Sequence, residues 1–468
     1  MRRICAGRWY RQATLGTVLV VGAVLAVPAA AAPIGPVSAT PAVGTPVLAN
    51  LGSQTQKVRQ LVQCGDTMYA VGSFTTIKKG STTYTRNNAF SFKATAPFTV
   101  SAWDPNVNGI VNSIAFNGGD CSHAYVGGKF SSVGGMSVQN LAEIDTTTGA
   151  VVPTFAHSAS AQVQTLLGAA GHMLVGGYFK TINGSAQPYF ASLDPTTGKD
   201  DKFLQLGISG NYSWANPNGT RVYNQELSHS GNYDLVMGDF TSAGGLPRQQ
   251  IFMLDLTTSP ATVTGWTSPE WDGSLGELSA SNPGGYPYQC FVGEPFYLQA
   301  ASWSPDDGQI YIATTGYHPN GFPTGSFPRT GLCDVAAAFP GTVSPPAQPN
   351  GQPGYVLHTW VNYAGCDSLY ATAADASTAY FGGHERWANN TNGCDFAGPG
   401  AIPAPGMVGL SPTNGSVTFN PGRSRGLGAD DMLVTNDGLW IASDNLRNSQ
   451  ACGGVSGHAG ICFMPYTG

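Results

Sequence analysis

The sequence predicts an all-β fold, a seven-bladed β-propeller of four-stranded antiparallel blades, and three observations lead there. One phrase, an apolar pair followed by two small residues and a turn, occurs seven times: Tyr69–Phe74, Tyr125–Phe130, Leu174–Phe179, Val236–Phe240, Tyr311–Thr315, Tyr380–His384 and Trp440–Asp444. Its first small residue falls at Gly72, Gly127, Gly176, Met237, Ala313, Gly382 and Ala442, at spacings of 55, 49, 61, 76, 69 and 60 residues. Periods of that length belong to stacked or radially arranged supersecondary units. Composition is the second observation: charged residues make up only 10% of the 468, whereas Gly (62) and Pro (32) abound. The Ala, Glu, Lys and Leu surfaces of long helices are missing, and short strands with turns fit instead. Third, one turn recurs within the units, as Asp145–Gly149, Asp194–Gly198 and Ser411–Gly415, with a looser copy at Asp255–Thr258. Strand-like units repeated this way close naturally into a propeller.

From the N-terminus, Arg2, Arg3, Arg8 and Arg11 precede the apolar stretch Leu15–Val27 and the small residues of Pro28–Ala32. This is the order of a secretory signal and is too short for a comfortable membrane span. Residues 1–32 are therefore expected to be removed, with cleavage near Ala31, and the mature chain to be released or loosely held at the cell surface. Residues 33–45 read as a flexible lead and 46–468 as the propeller. Removing four of the 21 basic residues and no acidic ones leaves 17 against 27, a net charge of −10. A mildly acidic surface without a basic stripe argues against nucleic acid as a partner. No later segment is apolar enough to span a membrane, and a monomer is expected.

The third unit shows the grammar most plainly, with strands at Val163–Leu167, Met173–Gly177, Tyr189–Leu193 and Phe203–Leu206 joined by tight turns. An aromatic ends or follows the fourth strand at Trp103, Phe155, Phe203, Trp266, Trp360 and Phe419. Such a ring can stack sugars, but one per unit reads first as wedges between neighbouring blades. The seventh unit supplies three strands only, Asp431–Val434, Leu439–Ser443 and Ile461–Met464. Pro46–Leu51, ahead of the first unit, is a spare strand. Placed on the seventh blade it closes the ring and leaves no unpaired edge.

Eight cysteines remain after signal removal, Cys64, Cys121, Cys290, Cys333, Cys366, Cys394, Cys452 and Cys462. An even number in an exported chain reads as four disulfides, and no C-x-x-C pair supports a metal. Cys64 and Cys121 occupy the same turn in adjacent units and should pair across them. Parallel positions give Cys290–Cys333 and Cys366–Cys394, and Cys452–Cys462 closes a local loop. No cofactor and no metal are expected.

Three long insertions, 267–294, 316–334 and 384–406, map to one face, and 341–354 to the other; binding residues collect on long loops of a rigid scaffold. The richest polar cluster on the loaded face is His384, Glu385, Arg386 and Trp387, joined through the ring by Arg423, Arg425 and Asp430. Arginine forks match carboxylates, sulfates or phosphates, and a Trp offers a platform to a sugar or peptide. The competing reading pairs Arg386 and Arg425 with Glu385, Asp430 or Asp431 as internal locks. Catalytic signals are thin. Glu226, Asp239, Glu277, Glu294 and Asp430 supply carboxylates, but no spacing selects two for glycoside hydrolysis. No G-x-S-x-G turn occurs, and the Asp-Gly pairs at 272, 307 and 437 are turn chemistry rather than a calcium loop.

The V-G-G-x-F phrase, Gly382–Trp387 and Asn420–Gly426 together resemble secreted actinobacterial proteins carrying delta-60-type repeats, relatives of the kelch-like propellers, over residues 46 to 466. The fourth and fifth units depart from that pattern, with Met237 and Ala313 at the first small position. The resemblance implies architecture and carries over no catalytic residue. The function expected is non-enzymatic recognition of a glycan or an extracellular protein through loops on one face. A polysaccharide-active hydrolase or lyase and a structural envelope or matrix protein are the alternatives.

Overall fold

A computed structural model describes residues 36–52, 55–211, 219–271, 298–316, 332–348, 353–426, 428–446 and 451–467. Among them all regular structure is β, and no helix is long and apolar enough to cross a membrane. The principal sheets are antiparallel and follow one another along the chain. The first holds Lys57–Cys64, Thr67–Ser73 and Ala89–Lys93, and the second Ile110–Asn117, Asp120–Lys129 and Leu141–Asp145. The third holds Val163–Ala169, His172–Gly177 and Phe190–Leu193. Four strands each build the fourth (Arg221–Leu227, Tyr233–Asp239, Ile251–Asp255, Thr262–Val263) and fifth sheets (Leu298–Trp303, Gln309–Thr314, Val335–Pro340, Trp360–Tyr363). The sixth adds Leu369–Ala374, Ala379–Gly383, Met407–Leu410 and Val417–Phe419, and the seventh Ala429–Thr435, Gly438–Ser443 and Ile461–Pro465. In the first three sheets the fourth strand shrinks to single bridges, Phe92 to Val100, Ile144 to Val151 and Leu193 to Asp200. The expected strand Phe203–Leu206 is thus replaced by a bridge at Asp200. Phe203 instead turns inward and stacks on His172, ring centroids 3.9 Å apart.

Each principal sheet carries the same irregularity. Its first strand bulges by one residue, at Arg59, Asn112, Gln164, Tyr223, Gln299, Tyr370 and Asp430 in turn. A bulge bends and twists a strand and re-aims the extra side chain. It also explains the repeated glycines. A Cβ on Gly72, Gly128, Gly177, Gly238 or Gly383 would lie 2.0–2.4 Å from a carbonyl oxygen at the start of the bulging strand or just before it. A Cβ on Gly127, Gly176 or Gly382 would strike Val163, Val222 or Met432 of the next sheet within 2.3–2.6 Å. The register also corrects the alignment of the first repeat: Gly72 pairs opposite Val58 as Gly128 does opposite Val111, so Gly72 aligns with Gly128 and not with Gly127.

The core lies between sheets rather than at one centre. Tyr69 and Trp103 of the first sheet pack on Val111 and Ile114 of the second, and each later sheet packs on its successor in the same way. Trp440 and Ile461 of the seventh pack on Val58 and Phe90 of the first. The aromatics expected as wedges are buried here: Trp103, Trp266 and Trp360 donate their indole N–H to the carbonyls of Asp145, Pro340 and Pro412 in the next sheet. In the recurrent turns, the Asp145 carboxylate accepts from the amides of Thr147 and Thr148, and Asp194 from those of Thr196 and Thr197.

Pro46–Leu51 does not run along the seventh sheet. Val47 and Leu48 pair with Lys78 and Ile77 of a side hairpin. The edge of Ile461–Pro465 is met instead by the preceding lead, where Val37 bridges Tyr466 and the amides of Ser38 and Ala42 donate to Pro465 and Phe463. Pro36 precedes those donors and Pro41 falls between them, where a missing N–H costs nothing on an edge. The Pro-rich composition that reads as a flexible lead is therefore compatible with a strand-like path.

Candidate functional site

On the loaded face, the connection that leaves the Ala379–Gly383 strand is tied down at its far end by the Cys366–Cys394 disulfide, Cα atoms 5.0 Å apart. Beside it Asp367, only 3% exposed, is the hub. Its Oδ2 accepts from the Arg386 backbone N (3.0 Å) and Nε (2.8 Å), and its Oδ1 from Arg386 Nη2 (2.9 Å) and Arg425 Nη2 (2.8 Å). Four charge-assisted bonds saturate this carboxylate. Arg386 also pairs with Asp395, and Arg425 Nε donates to the carbonyl of His384. His384, half-buried, has its imidazole pKa lowered by burial and then by Arg425. Trp387 stays partly exposed in a short hairpin with Pro403, the Arg386 guanidinium 4.4 Å from its ring centre.

The candidates thus divide. His384, Arg386 and Arg425 converge on Asp367, a residue the sequence reading missed, and Trp387 stands at their rim. Both arginines are engaged by the Asp367 carboxylate. Arg423 is buried, donates to the carbonyl of Ser424 and lies in the field of Glu385 and Asp444. Glu385 is buried with neither carboxylate oxygen hydrogen-bonded among the described residues, and burial, with Asp367 nearby, pushes its pKa up to about 8. Asp430 belongs elsewhere: it is the seventh sheet's bulge residue and forms an ion pair with Lys57.

That bulge lies on a central channel of about 750 Å³ lined by the first strands of all the principal sheets, and all the bulge residues line it. Hydrogen bonds cross between neighbouring sheets around it: Ile114 N to Gln60, Leu166 N to Ser113, Gln225 to Thr165, Asn224 to the Gln299 carbonyl, Ser302 to Thr372, and Leu61 N to Asp431. Lys57 and Arg221 pair in register with Ser73 and Asp239, the ends of the second strands, so this mouth opens on the loaded face. Further in, Val62, Leu167 and Leu433 give apolar walls around Glu226. Burial raises the Glu226 pKa well above the ordinary range, helped by Asp431 and Asp234, and burial pushes Asp431 and Asp234 each to about 7. Glu226 and Asp431 are thus shifted the same way by the same cause, and Asp430 is held by Lys57. Among the described residues no group of three or more His, Cys, Asp or Glu side chains is placed to hold a metal ion.

Cys64–Cys121 links the first two sheets and Cys452–Cys462 closes its local loop, as expected. Cys333 is disulfide-bonded, and Cys290 lies outside the described residues, as do Glu277 and Glu294.

No protein-family model and no curated protein matches the chain. Among solved structures it is similar to U3-55K, at 8% identity over 91% of this chain and 100% of that one, with a TM-score of 0.47. It is similar to the WD40 β-propeller domain of Doa1, at 11% identity over 89% and 96%, TM-score 0.37. The β-propeller domain of Myceliophteria thermophila Cps50 (Swd1) aligns at 8% identity over 88% and 100%, TM-score 0.40. The propeller assignment rests on the chain's own sheets.

Proposed function

We propose that this protein is a secreted, non-enzymatic β-propeller that recognises a glycan or an extracellular protein through the loaded face. The observation that carries the reading is the pinned loop: a disulfide, a saturated buried carboxylate and a hairpin fix one segment around a partly exposed Trp387. Rigid presentation of an amphipathic aromatic lowers the ordering cost of binding. Arg386 and Arg425 serve this site by holding it. The disulfides fit an oxidising compartment and hence export. Trp387→Ala should leave the melting curve unchanged and weaken retention on the polysaccharide or protein that captures the wild type, by roughly 1–3 kcal/mol for a lost aromatic anchor. Retention equal to wild type would refute the site.

The same reading takes the principal sheets as seven blades of one ring, as in the delta-60-type repeat propellers the sequence resembles. Packing of Trp440 on Phe92 and the lead's bonds to Pro465 and Phe463 support closure at the seventh blade. Deleting residues 33–44 from the mature chain is expected to expose the Ile461–Pro465 edge, lower the melting temperature and promote aggregation. A monomeric truncation with unchanged melting would contradict closure by this segment.

A further inference from the structure

We propose that the central channel is a binding site for a small hydroxylated organic anion of the sugar-acid class, its carboxylate taken by Arg59 and its hydroxyls by the channel amides. This site is separate from the Trp387 rim, so the two proposals stand or fall independently.

The charge at the mouth is the first argument. Arg59 is a bulge residue lining the channel; it forms no ion pair among the described residues, and its buried Nε has no hydrogen-bond partner there. The nearby carboxylate of Asp430 is already taken by Lys57. Arg221, from the fourth sheet, lines the same channel with its guanidinium 5.0 Å from the Tyr178 ring centre and 5.4 Å from that of Tyr223. Arg59 therefore shares a confined space with the Lys57–Asp430 pair and has no ion-pair partner of its own among the described residues. Deeper in, Asp431 and Glu226 offset this little, because burial favours their neutral forms. A guanidinium without an ion-pair partner in a space of reduced dielectric is relieved by a bound anion, and its fork fits a carboxylate.

The amides give the ligand's body. Gln164 and Gln299, both bulge residues, line the channel with side-chain amides that make no hydrogen bond among the described residues. Each offers a donor and an acceptor side by side, the complement of a hydroxyl. An inorganic phosphate lacks the hydroxyl array to use both, and an alkyl acid would strand them in an unpaired state. Volume agrees: about 750 Å³ lies within the range of small-molecule pockets. The apolar collar of Val62, Leu167 and Leu433 limits the polar part of the ligand to the mouth.

The test is isothermal titration of the mature protein with glucuronate, glucose, butyrate and inorganic phosphate at low and high salt. Glucuronate is expected to bind saturably, one per chain, more weakly at high salt, and at least about tenfold more tightly than the other three, the scale of one charge-assisted bond. Arg59→Gln should lose that margin and Gln164→Leu part of it, while Trp387→Ala keeps it. If Arg59→Gln does not fold, the wild-type selectivity series decides alone. No saturable binding of glucuronate at millimolar concentration, equal binding of glucose, butyrate or phosphate, or unaltered binding by a folded Arg59→Gln protein would overturn the proposal.

Discussion

Replacing Asp367 with alanine is expected to destabilise the protein by about 3–5 kcal/mol, the cost of stranding charges that share a buried partner. Asp367 is buried and accepts four bonds from Arg386 and Arg425, so its loss takes a shared counter-charge from two guanidiniums at once. Arg425 is itself about a third exposed and contributes one of these bonds, so Arg425→Ala should cost less, about 1–2 kcal/mol. Thermal or urea melting checks both. A normal melting curve for Asp367→Ala would return the arginines to ligand duty.

Stability is expected to be greatest in mildly acidic solution and to fall as pH rises through 7 and 8. Glu385 is held near 8 and Asp234 and Asp431 near 7, all by burial, above their ordinary values of 4.5 and 3.8. A group whose folded pKa is raised binds more protons folded than unfolded between those values. Its contribution is full below the unfolded pKa and is lost through the folded one, at up to about 1.4 kcal/mol per pH unit per group. In the opposite sense, turn carboxylates such as Asp145 and Asp194 have pKa values lowered by bonds from Thr148 and Thr197. They lose those bonds only below their ordinary range, which limits stability at strongly acidic pH. Glu385→Gln removes the titration, so it should stabilise the protein at pH 8 and flatten the slope. Melting temperatures equal at pH 5 and pH 8 would contradict the burial argument.

The repeated phrase made the sheets legible because small residues there are sterically compelled: Gly128 faces the Ile110 carbonyl and Gly176 faces Val222. The wedge aromatics and the pairs Cys64–Cys121 and Cys366–Cys394 follow from position within the repeat, and Cys452–Cys462 from closeness in sequence. The bulges were not legible, since Arg59, Asn112 and Tyr370 share no side-chain chemistry and only register reveals that they are equivalent. Asp367 escaped for a similar reason. It lies 19 residues from Arg386 and 58 from Arg425, so the sequence pointed to nearer carboxylates such as Glu385. Glu385 in fact turns into the interior, while Asp430, grouped with the rim, belongs to the channel.

Recognition without catalysis at the loaded face makes retention and turnover separable. Its most direct test is to incubate the mature protein with a polysaccharide panel and measure retention and released reducing or unsaturated ends in the same samples. Retention on at least one polymer is expected, weakened by Trp387→Ala, with no ends released above background. Release of ends that scales with protein concentration and is lost in Glu226→Gln would contradict it.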